Sequence, residues 1–342
     1  MGDAPAVLPT GLSMLWEPTD PAAALEARFG FADLDDLSRW TTAALTSTWG
    51  LATGVVPAVS RVVISDRNAV VWAEVGARRV VVKLSCAPER FERLAASTRL
   101  VALLAEHGVP VAAPLACADG EVRVVVPGPA GPLSACVLPE VAADWLDVTD
   151  LDAVRAAGAC LARVHAALAE APADLVAALA TAPPGLAGAT AAGDPRAQVA
   201  GWLADHDPGH LPEASLRLAA LLGGLPALDG ERQLVHGDFR AANVLVRGAE
   251  VAAVLDLDEV AVRHRVADLA QACTYLATRF TGWEPTPPAA KEALVEGYGS
   301  VRRLSGAERA WLDALLLWNA LVAVPGPDDP AGWAAAVPQV AC

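Results

Sequence analysis

The sequence predicts an α+β protein of two lobes, a small antiparallel sheet lobe followed by a larger, mainly helical one. Three observations predict it. Apolar residues alternate at strand period between Ala58 and Val141. From Leu151 onward they recur at helical spacing in Ala-rich segments. A polar cluster of short strands at 234–258 then interrupts the helices. The expected organisation is an N-terminal arm with helices over 1–57, a sheet lobe over 58–141 and a helical lobe over 142–342.

Residues 1–20 are Pro-rich and aperiodic, which predicts a loose arm. Ala22 to Arg28 can form a short helix, and Asp33, Asp35 and Asp36 offer N-caps for another that runs through Trp49. Five strands are predicted: Val59–Ser65, Ala69–Val75, Arg79–Leu84, Glu121–Val126 and Ser134–Val141. Asp66-Arg67-Asn68 and Gly76-Ala77 supply the first two turns. Between the third and fourth strands, Pro88 opens a helix that Gly108 stops. Asp152 to Glu170 is an amphipathic helix, and 181–195 is a Pro, Gly, Ala and Thr spacer. Further helices are expected over Arg196–Ala204, Pro212–Leu222, Asp268–Arg279, Ala289–Gly297 and Ala307–Leu321.

Composition excludes several classes. The 342 residues suffice for two lobes with a core. Mean hydropathy is +0.38, yet no apolar run reaches the length of a membrane span; Asn319 interrupts the nearest, Ala314 to Val324. No secretory signal is evident, because the N-terminus carries Asp3 and no early cation. A net charge of −15 disfavours nucleic acid and anionic membranes and attracts cationic small molecules, although much surface charge is merely solvated. The six cysteines form no CxxC pair and mostly sit in apolar surroundings. They predict buried thiols in a reducing compartment, the cytoplasm.

The chemistry concentrates in Leu234-Val235-His236-Gly237-Asp238-Phe239-Arg240-Ala241-Ala242-Asn243 and in Val254-Leu255-Asp256-Leu257-Asp258. Asn243 follows Asp238 by five positions, and Asp256 follows Asn243 by thirteen. Phosphoryl transfer needs such a set: a carboxylate to receive the hydroxyl proton, and an amide oxygen and a second carboxylate to hold magnesium. Magnesium keeps most of its waters, so few protein ligands suffice. Ordinary turn chemistry would explain Asp238 and Asn243 singly, but neither their spacing nor the second acidic pair. His206 and His210 have helical metal spacing, but Pro208-Gly209 between them predicts a loop.

The motif His236-Gly237-Asp238-x-x-x-x-Asn243, with Asp256-x-Asp258 and an upstream Lys83, resembles the aminoglycoside phosphotransferase and choline kinase family, of the protein-kinase-like fold. The resemblance covers roughly residues 58–320. It implies a cytoplasmic, ATP- or GTP-dependent kinase that uses Mg2+ and phosphorylates a hydroxyl of a small molecule. It implies that Asp238 is the catalytic base and that Asn243 and Asp256 hold magnesium. Asp258 is either a further metal or water contact or a structural carboxylate. Arg240 stands where a cation can meet the transferring phosphate; the alternative is an exposed loop arginine. Lys83 becomes the cation on the α- and β-phosphates, or a lysine that snorkels to the surface. Its usual partner is a helix glutamate. Alignment puts Ser97 there, which leaves Glu92, further up the helix, as the candidate. Ser65 and Asn68 flank the nucleotide loop, and Glu140 and Val141 belong to the hinge that meets adenine. Asp268 resembles the aspartate that braces the catalytic loop, and His236 packs to hold it.

The segment Gly297-Tyr298-Gly299-Ser300-Val301-Arg302-Arg303-Leu304 resembles the branch that contains type II homoserine kinase. Asp144, Asp147, Glu259 and Glu284 are candidate contacts for an amine-bearing acceptor. Arg263 or Arg265 would serve a carboxylate, and Trp145 and Trp283 would flank the substrate. The competing readings are a pseudokinase-like binding protein and a homoserine-type amino acid kinase. Oligomeric state is not encoded in any pattern found.

Overall fold

The computed structural model describes residues 10–51, 59–180, 194–206, 211–228, 232–280, 282–326 and 328–337. It divides into two compact units, Met1–Ala142 and Ala143–Cys342. Among the described residues no helix is long and apolar enough to cross a membrane. The five described cysteines are free thiols, four of them buried.

The first unit contains β1 (Gly11–Met14), α1 (Pro21–Phe29), α2 (Leu34–Trp49), β2 (Val59–Ser65), β3 (Asn68–Val75), β4 (Arg78–Ser85), α3 (Phe91–Glu106), β5 (Val124–Gly128) and β6 (Gly131–Pro139). They build a six-stranded sheet in the order β1-β2-β3-β4-β6-β5. The five expected strands are present and antiparallel. The sixth, β1, lies in the segment expected as a loose arm and pairs parallel with Arg61–Ile64 of β2. Its Leu12 and Met14 pack against the core. Four residues are too few to show a period, so only the sheet edge reveals them.

The helices α1 and α2 also belong to this unit. Leu25, Phe29, Phe31, Leu37, Leu45 and Trp49 share one buried cluster with Val62, Ile64, Val71 and Val82 of the sheet. Asp20 and Asp33 cap the two helices by accepting from Ala23 and Asp36. Burying a side chain such as Phe29 stabilises by about 1.5–3 kcal/mol. The helices of the leading segment are therefore one face of the sheet's core, not an appendage to it.

The second unit contains β7 (Asp144–Trp145), α4 (Leu151–Ala169), α5 (Ala173–Leu179), α6 (Pro195–Asp205), α7 (Pro212–Gly224), β8 (Gln233–Val235), β9 (Val244–Arg247), β10 (Glu250–Val254), β11 (Ala261–Arg263), α8 (Arg265–Tyr275), α9 (Pro288–Val301), α10 (Gly306–Ala323) and α11 (Trp333–Ala336). Two small sheets, β10-β9-β7 and β11-β8, sit among the helices. The expected spacer falls largely outside the described residues, as does His210; His206 is exposed and stacks on Trp202 at 4.9 Å.

Helices α4 and α9 meet backbone to backbone. A Cβ at Gly158 would lie 2.0 Å from the Leu294 carbonyl oxygen, and one at Gly297 would lie 1.9 Å from that of Arg155. Only glycine permits this approach at either position. It brings Tyr298 of α9 against His165 of α4, with their rings edge to face at 5.6 Å.

Candidate active site

Strand β8 delivers His236, Gly237 and Asp238 from an antiparallel pairing with β11, in which Val235 faces Ala261. Gly237 has φ +83°, and a Cβ there would meet the Glu259 carbonyl oxygen at 2.1 Å. The Gly237 N–H donates to Asp268 Oδ1 at 2.8 Å, and its carbonyl accepts from Gln271 Nε2 at 2.6 Å. Asp268 therefore braces the loop from α8. Its other oxygen meets His165 Nε2 at 2.9 Å, and His165 Nδ1 meets the Tyr298 hydroxyl at 2.9 Å. Burial works against the Asp268 charge, but the His165 hydrogen bond and the nearby Arg263 prevail and hold its carboxyl below the usual range. Burial pushes His165 below the usual histidine range despite that neighbour.

His236 is fully buried and joins the two motif strands. Its Nε2 donates to the Leu255 carbonyl at 3.0 Å, and its Nδ1 accepts from the Asp238 N–H at 3.2 Å. The Leu255 N–H donates to the Asn243 carbonyl at 2.8 Å. Asn243 Nδ2 donates at 2.8 Å to both the carbonyl and Oδ2 of Asp238. Asp238, Asn243 and the strand leading to Asp256 are thus one hydrogen-bonded assembly.

Arg240 Nε lies 3.0 Å from the Asp238 carboxylate, and the guanidinium covers Trp283 at 5.8 Å. Its contact is with the carboxylate, where the sequence places it toward a phosphate or in solvent. Burial raises the Asp238 carboxyl above its ordinary value; Arg240 opposes the rise and the charge of Asp256 adds to it. Asp256 is exposed and has φ +61°. A non-glycine residue held there costs about 1–3 kcal/mol, the kind of strain that persists where surrounding structure enforces it. Asp258, two residues on, is half-buried.

The first unit carries the residues expected to meet nucleotide. Lys83 lies on β4, opposite Val70 of β3 and Cys136 of β6, and is half-buried. Glu92 is exposed in the first turn of α3. Ser97, where alignment expects a glutamate, is buried and donates to the Leu94 carbonyl at 3.1 Å. Ser65 and Asn68 pair across the β2–β3 turn. The Asp66 N–H at the tip donates to Glu17 at 2.5 Å, and the Asp66 carbonyl accepts from Arg28 at 2.5 Å. Glu17 and Arg28 form an ion pair, and Arg28 holds the Glu17 carboxyl below its usual range. Nothing in the sequence links that pair to the turn. The Glu140 N–H donates to Arg79 at 3.0 Å and its carboxylate pairs with Arg79 at 2.7 Å, so that donor is committed; Val141 beside it is half-buried.

Two acceptor-site expectations need correction. Arg265 is held by both oxygens of Glu308 at 2.7 Å, and buried Arg263 donates to Gln271 at 3.0 Å. Arg265 is committed to a carboxylate, and Arg263 is buried close to the charges of Asp268 and Glu259, so neither is set to receive a substrate carboxylate. Asp147 accepts from the N–H and hydroxyl of Thr149 at 2.9 and 2.8 Å, a turn-forming role. Asp144 and Glu284 are exposed and Glu259 is half-buried. Trp145 packs edge to face on Phe280 at 5.0 Å, and Trp283 is 51% exposed. Sequence reasoning missed His165 and Gln271, which support the loop from elements distant in the chain.

Among the described residues no group of three or more His, Cys, Asp or Glu could hold a metal ion. The donor set at this assembly is of another kind. The Asn243 nitrogen is engaged by Asp238, which leaves its oxygen as the remaining ligand atom, and Asp256 contributes an exposed carboxylate. An amide oxygen and carboxylates suit a hard cation that keeps most of its waters.

A model of the phosphotransferase enzyme family matches residues 62–315. Solved structures share the fold. An amicoumacin kinase bound to AMP-PNP and Ca2+ superposes with TM-score 0.59 at 17% identity, over 92% of this chain and 93% of that one. A microcompartment-associated aminopropanol kinase gives 0.60 at 18% identity, over 88% and 94%. A spectinomycin phosphotransferase bound to ADP and spectinomycin gives 0.55 at 15% identity, over 83% and 86%. A curated relative, acyl-CoA dehydrogenase family member 11 of Gallus gallus, is 35% identical over 116 residues, 32% of this chain and 14% of that protein.

Proposed function

This chain belongs to the phosphotransferase enzyme family, and from that premise we propose that it transfers the γ-phosphate of ATP or GTP to a hydroxyl group of a small molecule. The observation that carries the proposal is the hydrogen-bonded assembly of Asp238, Asn243 and the strand that ends at Asp256.

In this reading Asp238 accepts the hydroxyl proton and aims the oxygen at phosphorus. Asn243 fixes its carboxylate, and Arg240 opposes the rise that burial imposes on it. Magnesium, held through Asn243 and Asp256 with Asp258 beside them, would neutralise the phosphate oxygens. Lys83 supplies a cation for the phosphates, and Ser65, Asn68, Glu140 and Val141 frame the nucleotide. Glu92, exposed in its first turn, is left out of this set. Kinases of similar fold act on amine-bearing acceptors such as aminopropanol and spectinomycin. The charge of −15 and the exposed Asp144 and Glu284 favour an acceptor of that class here.

The test is ADP formation across a panel of amino alcohols and aminoglycosides, with mass-spectrometric detection of a phosphorylated product. One or more acceptors are expected to support turnover. Asp238→Asn is expected to lower that turnover by about 10²–10⁴, as loss of a positioned base does, with nucleotide affinity nearly unchanged. Full activity in the variant defeats the role given to Asp238. Absence of turnover with every acceptor, despite nucleotide binding, favours a binding protein.

A further inference from the structure

The segment after α9 is not used by the catalytic loop, and it lines a separate cavity of about 610 Å³ in the second unit. Leu168, Val176 and Leu234 give it an apolar wall, and Arg232, Arg265 and Arg302 give it guanidinium groups. The single carboxylate among the described lining residues is Glu308, which both oxygens commit to Arg265. Two arginines therefore face this space without a lining carboxylate of their own. Arg302 donates to the side-chain oxygen of Gln233 at 3.1 Å, and Arg232, which is exposed, donates to the Val262 carbonyl at 2.9 Å. Both hydrogen-bond partners are neutral, and the charge of Glu308, shared with Arg265, only partly offsets that of Arg302. Burial and the neighbouring Arg265 hold Arg302 below the usual arginine range, as expected where cations are gathered. Among the described lining residues three arginines meet one carboxylate, in a chain of net charge −15. Clustering like charges costs stability unless an anion joins them.

We propose that this cavity is a second binding site, for an amphiphilic organic anion: a phosphate head on Arg232 and Arg302, and a short hydrocarbon body on the leucine and valine wall. Guanidinium forks match phosphate oxygens in two-point contact. The wall adds the apolar burial that a bare phosphate lacks. The site is independent of the proposed transfer reaction. It lies at the start of β8, the strand that enters the catalytic loop, but it uses none of that loop's residues.

Titration calorimetry of the full chain with n-hexyl phosphate and with inorganic phosphate tests the proposal. Hexyl phosphate is expected to bind with one-to-one stoichiometry and more tightly than inorganic phosphate. Arg232→Ala, an exposed position that folding tolerates, is expected to weaken it at least tenfold, and Arg302→Lys is expected to weaken it in part. Lys83→Ala should leave it unchanged. Absence of binding at 10 mM ligand (on the order of the weakest useful affinity) overturns the site. So does binding that Arg232→Ala leaves intact, or binding that Lys83→Ala abolishes, which would place the anion with the nucleotide residues. Inorganic phosphate binding as tightly as hexyl phosphate overturns the ligand class.

Discussion

Asp238 is a half-buried carboxylate whose charge depends on its neighbours. Asn243 and Arg240 contact it directly, and the nearby Asp256 works against it. A second carboxylate, the fully buried Asp268, supports the same loop through the Gly237 N–H and is matched by His165. This second pair gives the fold a pH dependence with a definite sign. In the folded chain His165 stays neutral below its ordinary value of 6.5, whereas the unfolded chain protonates there. The unfolded state then binds more protons, so stability present above pH 6.5 is lost as pH falls. Asp268, also lowered, adds to the loss once pH drops below 3.8. Urea unfolding between pH 7.5 and 5 (a window of about one unit on either side of a histidine's pKa) should show falling stability, with a slope reduced by up to about one proton in His165→Gln. Equal slopes in the two proteins would remove His165 as the source.

At the scale of elements, length decided what the sequence could disclose. The helices α4 and α10 carry long apolar stripes, and α10 has a complete Ser305–Glu308 capping box, so both were legible. The strands β1, β7 and β11 have two to four residues each and gain stability from pairing rather than from a period of their own. The partnership of α1 and α2 with the sheet was hidden for another reason: amphipathicity shows that a face is buried, not what covers it. If these helices form the sheet's core, Phe29→Ala should destabilise the whole first unit. The expected loss is about 3–5 kcal/mol, read from urea unfolding monitored at the tryptophans. A loss under about 1 kcal/mol, typical of surface sites, would mean that the helices are peripheral.

Over the whole molecule, the site was legible where it is local. Asp238 and Asn243 lie five residues apart, and their contact follows from a single turn of chain. What holds them is not local: His165 lies 103 residues before Asp268. No spacing rule connects α4 to α8. The glycine-mediated approach of α4 and α9 sets Tyr298 against one nitrogen of His165, and α8 brings Asp268 to the other. The arginines of the Arg263–Arg265 stretch show the converse error. Their charge suggested a ligand, but inside the fold Arg265 pairs with Glu308, and Arg263 is buried close to the charges of Asp268 and Glu259. A charged side chain read from sequence carries no record of the partner that neutralises it.

The central claim is that Asp238, Asn243 and Asp256 form one centre that handles nucleotide phosphates through a divalent cation. The most direct test is the magnesium dependence of ATP affinity, measured by calorimetry in the native chain and in Asp256→Ala. Magnesium should tighten ATP binding by about tenfold or more in the native chain, equivalent to roughly 1.4 kcal/mol, and Asp256→Ala should abolish most of that gain. An affinity indifferent to magnesium, or a gain that survives in Asp256→Ala, would contradict the claim.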